Sequence, residues 1–212
     1  MTGTSAAPNS SSEMTAAWFS GNYNLAHAGW SNGPVNGQDT WYRVRIRFPS
    51  GGLYQPTTGQ WNWVVEWHDD NHTMSLNSGA MSISLGVYTD YPIVNNAVGK
   101  NPRLALRLAG GNASSPSTYT CQLPSNSLLY GHWYDALFHF VWSKSSTTGL
   151  AEWWLDGTQA CSVHFPTLYT NPDGTQSYNS FGLYNYRLKA SWTSRIDYDN
   201  VTIGPSRSSV GG

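Results

Sequence analysis

The sequence predicts an all-β protein, a β-jelly roll sandwich of two packed antiparallel sheets, on three observations. Strand and turn formers are in excess: the 212 residues include 11 Trp, 13 Tyr, 21 Gly and 11 Pro, and only 11% are charged. That balance suits pleated, half-buried surfaces and tight turns rather than helices. Apolar and polar residues alternate with a period of two in roughly ten short segments. Turn signals separate these segments at intervals of about 8–12 residues, and no segment carries a convincing amphipathic helical period. Many short alternating strands of this kind close as two sheets packed face to face.

Taken in order, residues 1–14 are small and polar and read as a tail or linker, 15–205 as the single domain expected at this length, and 206–212 as a flexible tail. Residues 40–48 form the first clear strand, with Val44, Ile46 and Phe48 on an apolar face and Arg43, Arg45 and Arg47 on the other. In residues 61–70 the alternation puts Trp61, Trp63, Val65 and Trp67 on a core-forming face and Asn62, Val64, Glu66 and His68 on a polar one. Strands follow over 81–88 and 103–108, where Leu104, Leu106 and Leu108 alternate with Arg103 and Arg107, and over 117–123. Residues 134–142 place Ala136, Phe138, Phe140 and Trp142 inward and Asp135, Leu137, His139 and Val141 outward. Residues 150–155 end in Asp156-Gly157, the strongest hairpin signal of the chain. Segments 159–164, 180–187 and 195–203 complete the set.

A formal net charge of −1 gives no reason to expect nucleic acid or an anionic membrane as partner. No apolar run reaches the ~18 residues of a membrane span, and the start lacks the basic-then-apolar pattern of a signal peptide. A monomeric, exported protein is the expectation. Cys121 and Cys161 both sit in strand-like contexts. A disulfide and two separate buried thiols are equally compatible with the sequence. Neither belongs to a CxxC pair, which discounts thiol chemistry and zinc.

The outward faces carry groups suited to a sugar-like or anionic ligand. Asn62, Glu66 and His68 come from one strand, Arg43, Arg45 and Arg47 from a second, and Ser180, Tyr184 and Tyr186 from a third, with Arg107 and His139 as further candidates. Each has a plainer reading. Alternating arginines commonly form a solvated face that discourages edge pairing. Paired tyrosines commonly pack with a hydrogen-bonded hydroxyl. His68 is also placed to end its strand against Asp69 or Asp70. His68, Asp69, Asp70 and His72 have metal-ligand chemistry but no ligand from another element, so neither metal nor cofactor is expected. A structural Ca²⁺ at Asp197 and Asp199 is the one exception considered.

Two segments carry a family resemblance. Tyr178-Asn179-Ser180-Phe181-Gly182-Leu183-Tyr184-Asn185 resembles the Tyr-Phe-Lys-Ala-Gly-Val-Tyr-Asn segment of jelly-roll alginate lyases, and Glu66-Trp67-His68 resembles their Gln-(Ile/Val)-His segment. A wider frame resembles the related heparin-lyase and glucuronan-lyase sandwiches. It consists of Trp41-Tyr42 with Phe48-Pro49, Trp63 with Trp67-His68, Gly131-His132-Trp133-Tyr134, and Trp154-Leu155-Asp156-Gly157. By order of landmarks the likeness spans residues 40–204. It implies a secreted, concanavalin A-like jelly roll that cleaves a uronic-acid polysaccharide by β-elimination in a groove on the concave sheet. Removing the C5 proton develops charge on the neighbouring carboxylate, which needs a cationic or amide partner. The departing O4 oxygen needs a proton. The resemblance implies Tyr184 as base and acid and His68 as base or carboxylate partner, and it sets Glu66 in the site. Arg43, Arg45 or Arg47 would supply positive charge.

Two departures bear on the substrate: Glu66 stands where the family has Gln, and Ser180 where it has Lys. The family's Arg-(Ser/Thr)-Glu segment is also missing. A glycoside hydrolase is the first alternative. It would need a second carboxyl about 5 Å from Glu66 for retention or about 6.5–9.5 Å for inversion. Asp70, four residues along the strand, lies too far at about 13 Å, which leaves Glu152 or Asp135 from another strand. A non-catalytic carbohydrate-binding module, with Trp and Tyr rings stacked on pyranose rings, is the second.

Overall fold

The alternation that reads most clearly in the sequence is also the one that sets the first long strand. Along Asp39–Arg47, buried Tyr42, Val44 and Ile46 alternate with half-buried Trp41, Arg43, Arg45 and Arg47. The computed structural model describes residues 2–3, 13–15, 34, 36–50, 62–69, 81–89, 101–170, 179–187 and 194–212. Its strands are β1 (Thr2–Gly3), β2 (Glu13–Thr15), β3 (Asp39–Arg47), β4 (Asn62–Asp69), β5 (Met81–Tyr88), β6 (Arg103–Asn112) and β7 (Ser117–Gln122). They continue as β8 (Trp133–Val141), β9 (Leu150–Leu155), β10 (Thr158–His164), β11 (Tyr169–Thr170), β12 (Asn179–Arg187), β13 (Ser194–Arg195) and β14 (Asp197–Gly204).

Two sheets form the expected jelly-roll sandwich. One has five strands in the order β10-β9-β8-β3-β14, and the other has seven, in the order β11-β6-β5-β4-β12-β2 with β7 added beside β6. All pairings are antiparallel except the short β11–β6 contact. Trp67 of β4 is fully buried between the sheets. Its indole lies 5.2 Å from Tyr42, 5.0 Å from Phe138, 4.8 Å from Phe140 and 5.4 Å from Phe181, measured between ring centroids. Burial of such a ring is the largest single apolar contribution a strand can make, and its truncation to Ala costs about 3–5 kcal/mol.

The two cysteines are bonded. Cys121 of β7 joins Cys161 of β10 with Cα atoms 5.7 Å apart, which links the sheets across one edge. Closing a loop with a sequence separation of 40 residues contributes about 4 kcal/mol through the unfolded chain.

The termini differ from the expectation. Within the supposed tail of residues 1–14, β1 pairs with β13, and β2 adds to β12. Residues 206–212, expected as a flexible tail, contain a 3-10 turn at Ser208–Val210 with Val210 buried. Arg43 holds this turn by donating to the carbonyls of Val210, at 3.3 Å, and Gly211. A side chain 167 residues earlier therefore gives the polar tail its structure.

The outer face of the five-stranded sheet carries a set of ion pairs. Arg43 grips Asp135 through two hydrogen bonds of 2.8 and 2.6 Å, and this contact holds the Asp135 carboxyl below its usual range. At Asp197 burial pulls the carboxyl up, but hydrogen bonds from Arg195 and Arg47 outweigh it and leave it lowered. Carboxylates depressed in the folded state add stability above their unfolded pKa, and this is lost as pH falls through the folded value. We expect the urea midpoint to drop below about pH 4, and the Asp135→Asn variant to show a shallower drop over the same range.

Candidate active site

Strand β4 lays down the site, and a bulge within it decides which side chains take part. In the ladder to β5, Trp63 pairs with Gly86 and Val65 with Leu85, so Val64 is an extra residue without a partner. The ladder to β12 also passes over Val64, opposite Tyr184 and Asn185. An extra residue reverses the alternation on its far side. Val64 and Val65 both join the core. Trp63 then turns to the Glu66 face, where its ring would lie 2.9 Å from a Cβ on Gly86 and packs 5.8 Å from Tyr88. Asn62 moves the other way. It pairs with Val87, a core residue, and is fully buried. The expectation that Asn62 shares a ligand-binding face with Glu66, and that Trp63 fills the core, is corrected by this one bulge.

From Val65 to Trp67 the expected alternation holds. Trp67 points inward, so Glu66 points away from the core. The register aligns Gly182, Glu66, Ser84, Arg107 and Thr120 in one row across β12, β4, β5, β6 and β7. With strands about 4.8 Å apart, Glu66 and Arg107 stand roughly 10 Å apart along it. Glu66 is only 2% exposed. Arg107 is half-buried and makes no ion pair or hydrogen bond among the described residues. Between them the buried Ser84 Oγ has no hydrogen-bond partner among the described residues.

Tyr184 reaches this row from β12. Its ring occupies the space that a Cβ on Gly182 would take, with Cε2, Cζ and the hydroxyl the nearest atoms to that position. Gly182 is directly opposite Glu66. The phenol therefore covers the strand at the position opposite Glu66, and the absence of a side chain at 182 is what admits it. His68 pairs in register with Ser180, two residues along from Glu66, and Tyr186 pairs with Trp63. The side chains of His68 and Tyr186 lie outside the described part of the structure.

Other candidates are placed elsewhere. Arg43, Arg45 and Arg47 stand on the outer face of the opposite sheet, paired with Asp135 at 2.6 Å, Asp199 at 3.7 Å and Asp197 at 2.6 Å. Arg45 and Arg47 also flank Trp133, with guanidinium carbons 5.3 and 4.7 Å from its ring. His139 shares that face, held by Glu152 at 2.7 Å and Asp39 at 2.9 Å and stacked 4.1 Å from Trp41. These four are not brought together with Glu66, because β3 and β8 belong to the five-stranded sheet. The second carboxyls considered for a hydrolase, Asp135 and Glu152, are separated from Glu66 in the same way. Asp197 and Asp199 each face an arginine, which opposes a calcium ion there. Sequence reasoning missed Ser84 and Gly182; the small residues Ser82, Ser84 and Gly86 alternating along β5 were the available signal, since small side chains on one face mark a close approach.

The larger sheet of this jelly roll thus brings Tyr184, Glu66 and Arg107, which makes no ion pair among the described residues, to one face. Comparisons with known proteins give the class. The sequence profile described as polysaccharide lyase matches residues 11–202, and the chain belongs to that family. The fold is similar to endo-β-1,4-glucuronan lyase from the fungus Trichoderma reesei, with a TM-score of 0.69 and 17% identity over 99% of this chain and 82% of that one. It is similar to a mutant of the alginate lyase Aly36B solved with an alginate trisaccharide, with a TM-score of 0.59 and 14% identity over 83% and 74%. It is also similar to a variant of the family 7 alginate lyase A1-II′ solved with product, with a TM-score of 0.57 and 11% identity over 96% and 75%. Comparison with the curated proteins gives no match.

The placement of the arginines yields a clear contrast. Gly182→Ala, by evicting the Tyr184 ring from its seat, should abolish most lyase activity while circular dichroism keeps the β-sheet signature. Arg45→Ala, on the far sheet, should leave activity at the wild-type level in the same assay.

Proposed function

We propose that this protein cleaves a uronic-acid polysaccharide by β-elimination on the outward face of β12, β4, β5 and β6. The observation that carries the reading is the seat of the Tyr184 phenol on Gly182, beside Glu66 and in the same cross-strand row as Arg107. A bound uronate would lie across this row with its carboxylate toward Arg107. Charge builds on that carboxylate as the C5–H bond breaks, and the Arg107 guanidinium, free of any carboxylate partner among the described residues, is suited to neutralise it. Ser84 Oγ offers a further donor from a water-poor position.

The electron pair released at C5 forms the C4=C5 double bond, the C4–O4 bond breaks, and O4 takes up a proton. A phenol can serve both transfers, since its oxygen accepts as phenolate and donates as phenol. Tyr184 has that role in this proposal, and His68 assists from its place two residues beyond Glu66. Glu66 replaces the Gln of the resembled lyases, so it is the residue expected to set this enzyme's choice of uronate. The disulfide between the sheets supports an exported, oxidising setting, and a monomer acting on polysaccharide alone is the simplest state for it.

Product carrying the new C4=C5 bond conjugated to a carboxylate absorbs in the ultraviolet. We expect absorbance to rise on at least one of a panel containing glucuronan, alginate and heparin-type polymers. Tyr184→Phe should slow that rise by about 10²–10⁴-fold, and Arg107→Met by about 10²–10³-fold. New reducing ends on neutral glucans without ultraviolet absorbance would overturn the reading in favour of hydrolysis. Binding without any product would leave a carbohydrate-binding module.

A further inference from the structure

We propose that Tyr198 is a positioning residue for the elimination, setting the Tyr184 backbone from inside the sandwich; the inference rests on the proton-transfer role of Tyr184 given above. Tyr198 belongs to β14, at the edge of the sheet that does not carry the site. It pairs in register with Ile46, a core residue, so its ring enters the space between the sheets. There its hydroxyl meets two carbonyl oxygens of the opposite sheet, Val64 O at 2.8 Å and Tyr184 O at 2.5 Å.

These two carbonyls belong to the bulge residues of β4 and β12. Val64 is passed over in the ladders on both of its sides, and Tyr184 is passed over in the ladder to β4. A bulge disrupts the ladder locally and bends its strand, so a hydroxyl that reaches the carbonyls of both bulge residues bears on how they are held. Tyr198 supplies one hydroxyl proton to the two acceptors, and so ties the bulges together from behind. Burial holds the Tyr198 phenol well above its usual pKa. It therefore stays a protonated donor at neutral pH.

The site faces the other way. Glu66 lies two residues beyond Val64, and the Tyr184 ring rises from the bulge itself onto Gly182. Bulges re-aim the side chains they carry. The direction of the Tyr184 ring is thus set by a backbone segment whose irregular carbonyl is held from the far sheet. Tyr198 touches no substrate in this arrangement and acts only through Tyr184 and β4.

Tyr198→Phe removes the hydroxyl and keeps the ring that packs against the core. Misplacing a reacting group by about 1 Å costs as much as 10²-fold, so kcat should fall at least tenfold with KM little changed. Ile203→Val, a core-packing change on the same strand, serves as the comparison at equal loss of thermal midpoint, and its kcat should match wild type. In a double-mutant cycle, Tyr198→Phe should add little to Tyr184→Phe, because both act through one group. Wild-type kcat in Tyr198→Phe, a kcat loss equal to that of Ile203→Val, or full additivity with Tyr184→Phe would each overturn the proposal. Full activity in Tyr184→Phe would overturn the elimination reading itself and the role of Tyr198 with it. Loss of activity in Tyr184→Phe with none in Tyr198→Phe would remove only the positioning role.

Discussion

The burial of Trp67 between the sheets is the constraint from which the site follows. Four aromatic rings from β3, β8 and β12 enclose the indole, and its Nε1 has no hydrogen-bond partner among the described residues. An unpaired buried donor costs about 1–3 kcal/mol, so the ring is held there for its apolar area and its contacts. Once Trp67 points inward, the strand alternation sends Glu66 outward. The registers to β5 and β12 then bring Ser84 and Gly182 beside it.

Only part of that alternation continues along β4. The extra residue at Val64 lets a strand with large residues on both faces satisfy two neighbours of different register. Val64 and Val65 both reach the core, and Trp63 is released to pack over Gly86 on the site face. The bulge residues Val64 and Tyr184 each present a carbonyl to β14. The inward hydroxyl of Tyr198 meets them, so the two sheets are joined at the disulfide on one edge and by this phenol toward the other.

Charge is segregated between the faces. The arginines of β3 spend their charge on Asp135, Asp197 and Asp199 and on the turn at the C-terminus. A guanidinium already matched by a carboxylate offers little net field to a ligand. Arg107 differs by its strand: its cross-strand neighbours are Ser84 and Thr120, neither of which bears charge. In the proposed elimination, Arg107, which has no ion pair among the described residues, and the nearby phenol would serve one chemistry, since carbanion formation beside a carboxylate calls for both a cation and a proton carrier.

The sequence by itself determined the fold class, the faces of β3 and β8, and the opposition of Trp67 to Glu66. All of these rest on period-two alternation, which is a local property of the chain. It also offered Tyr184 as a candidate, through the likeness of residues 178–185 to a lyase segment. Which polar faces meet was decided only by the tertiary structure. Arg43, Arg45, Arg47 and His139 looked as suitable as Arg107, because alternation says that a side chain points outward but not from which sheet. Asn62 and Trp63 exchanged faces because a bulge arises from mismatch between neighbouring ladders, and no single strand contains that information. The 3-10 turn at Ser208–Val210 and the meeting of Tyr198 with the bulges likewise depend on contacts between residues far apart in the chain. Local pattern sets direction, and long-range pairing sets company.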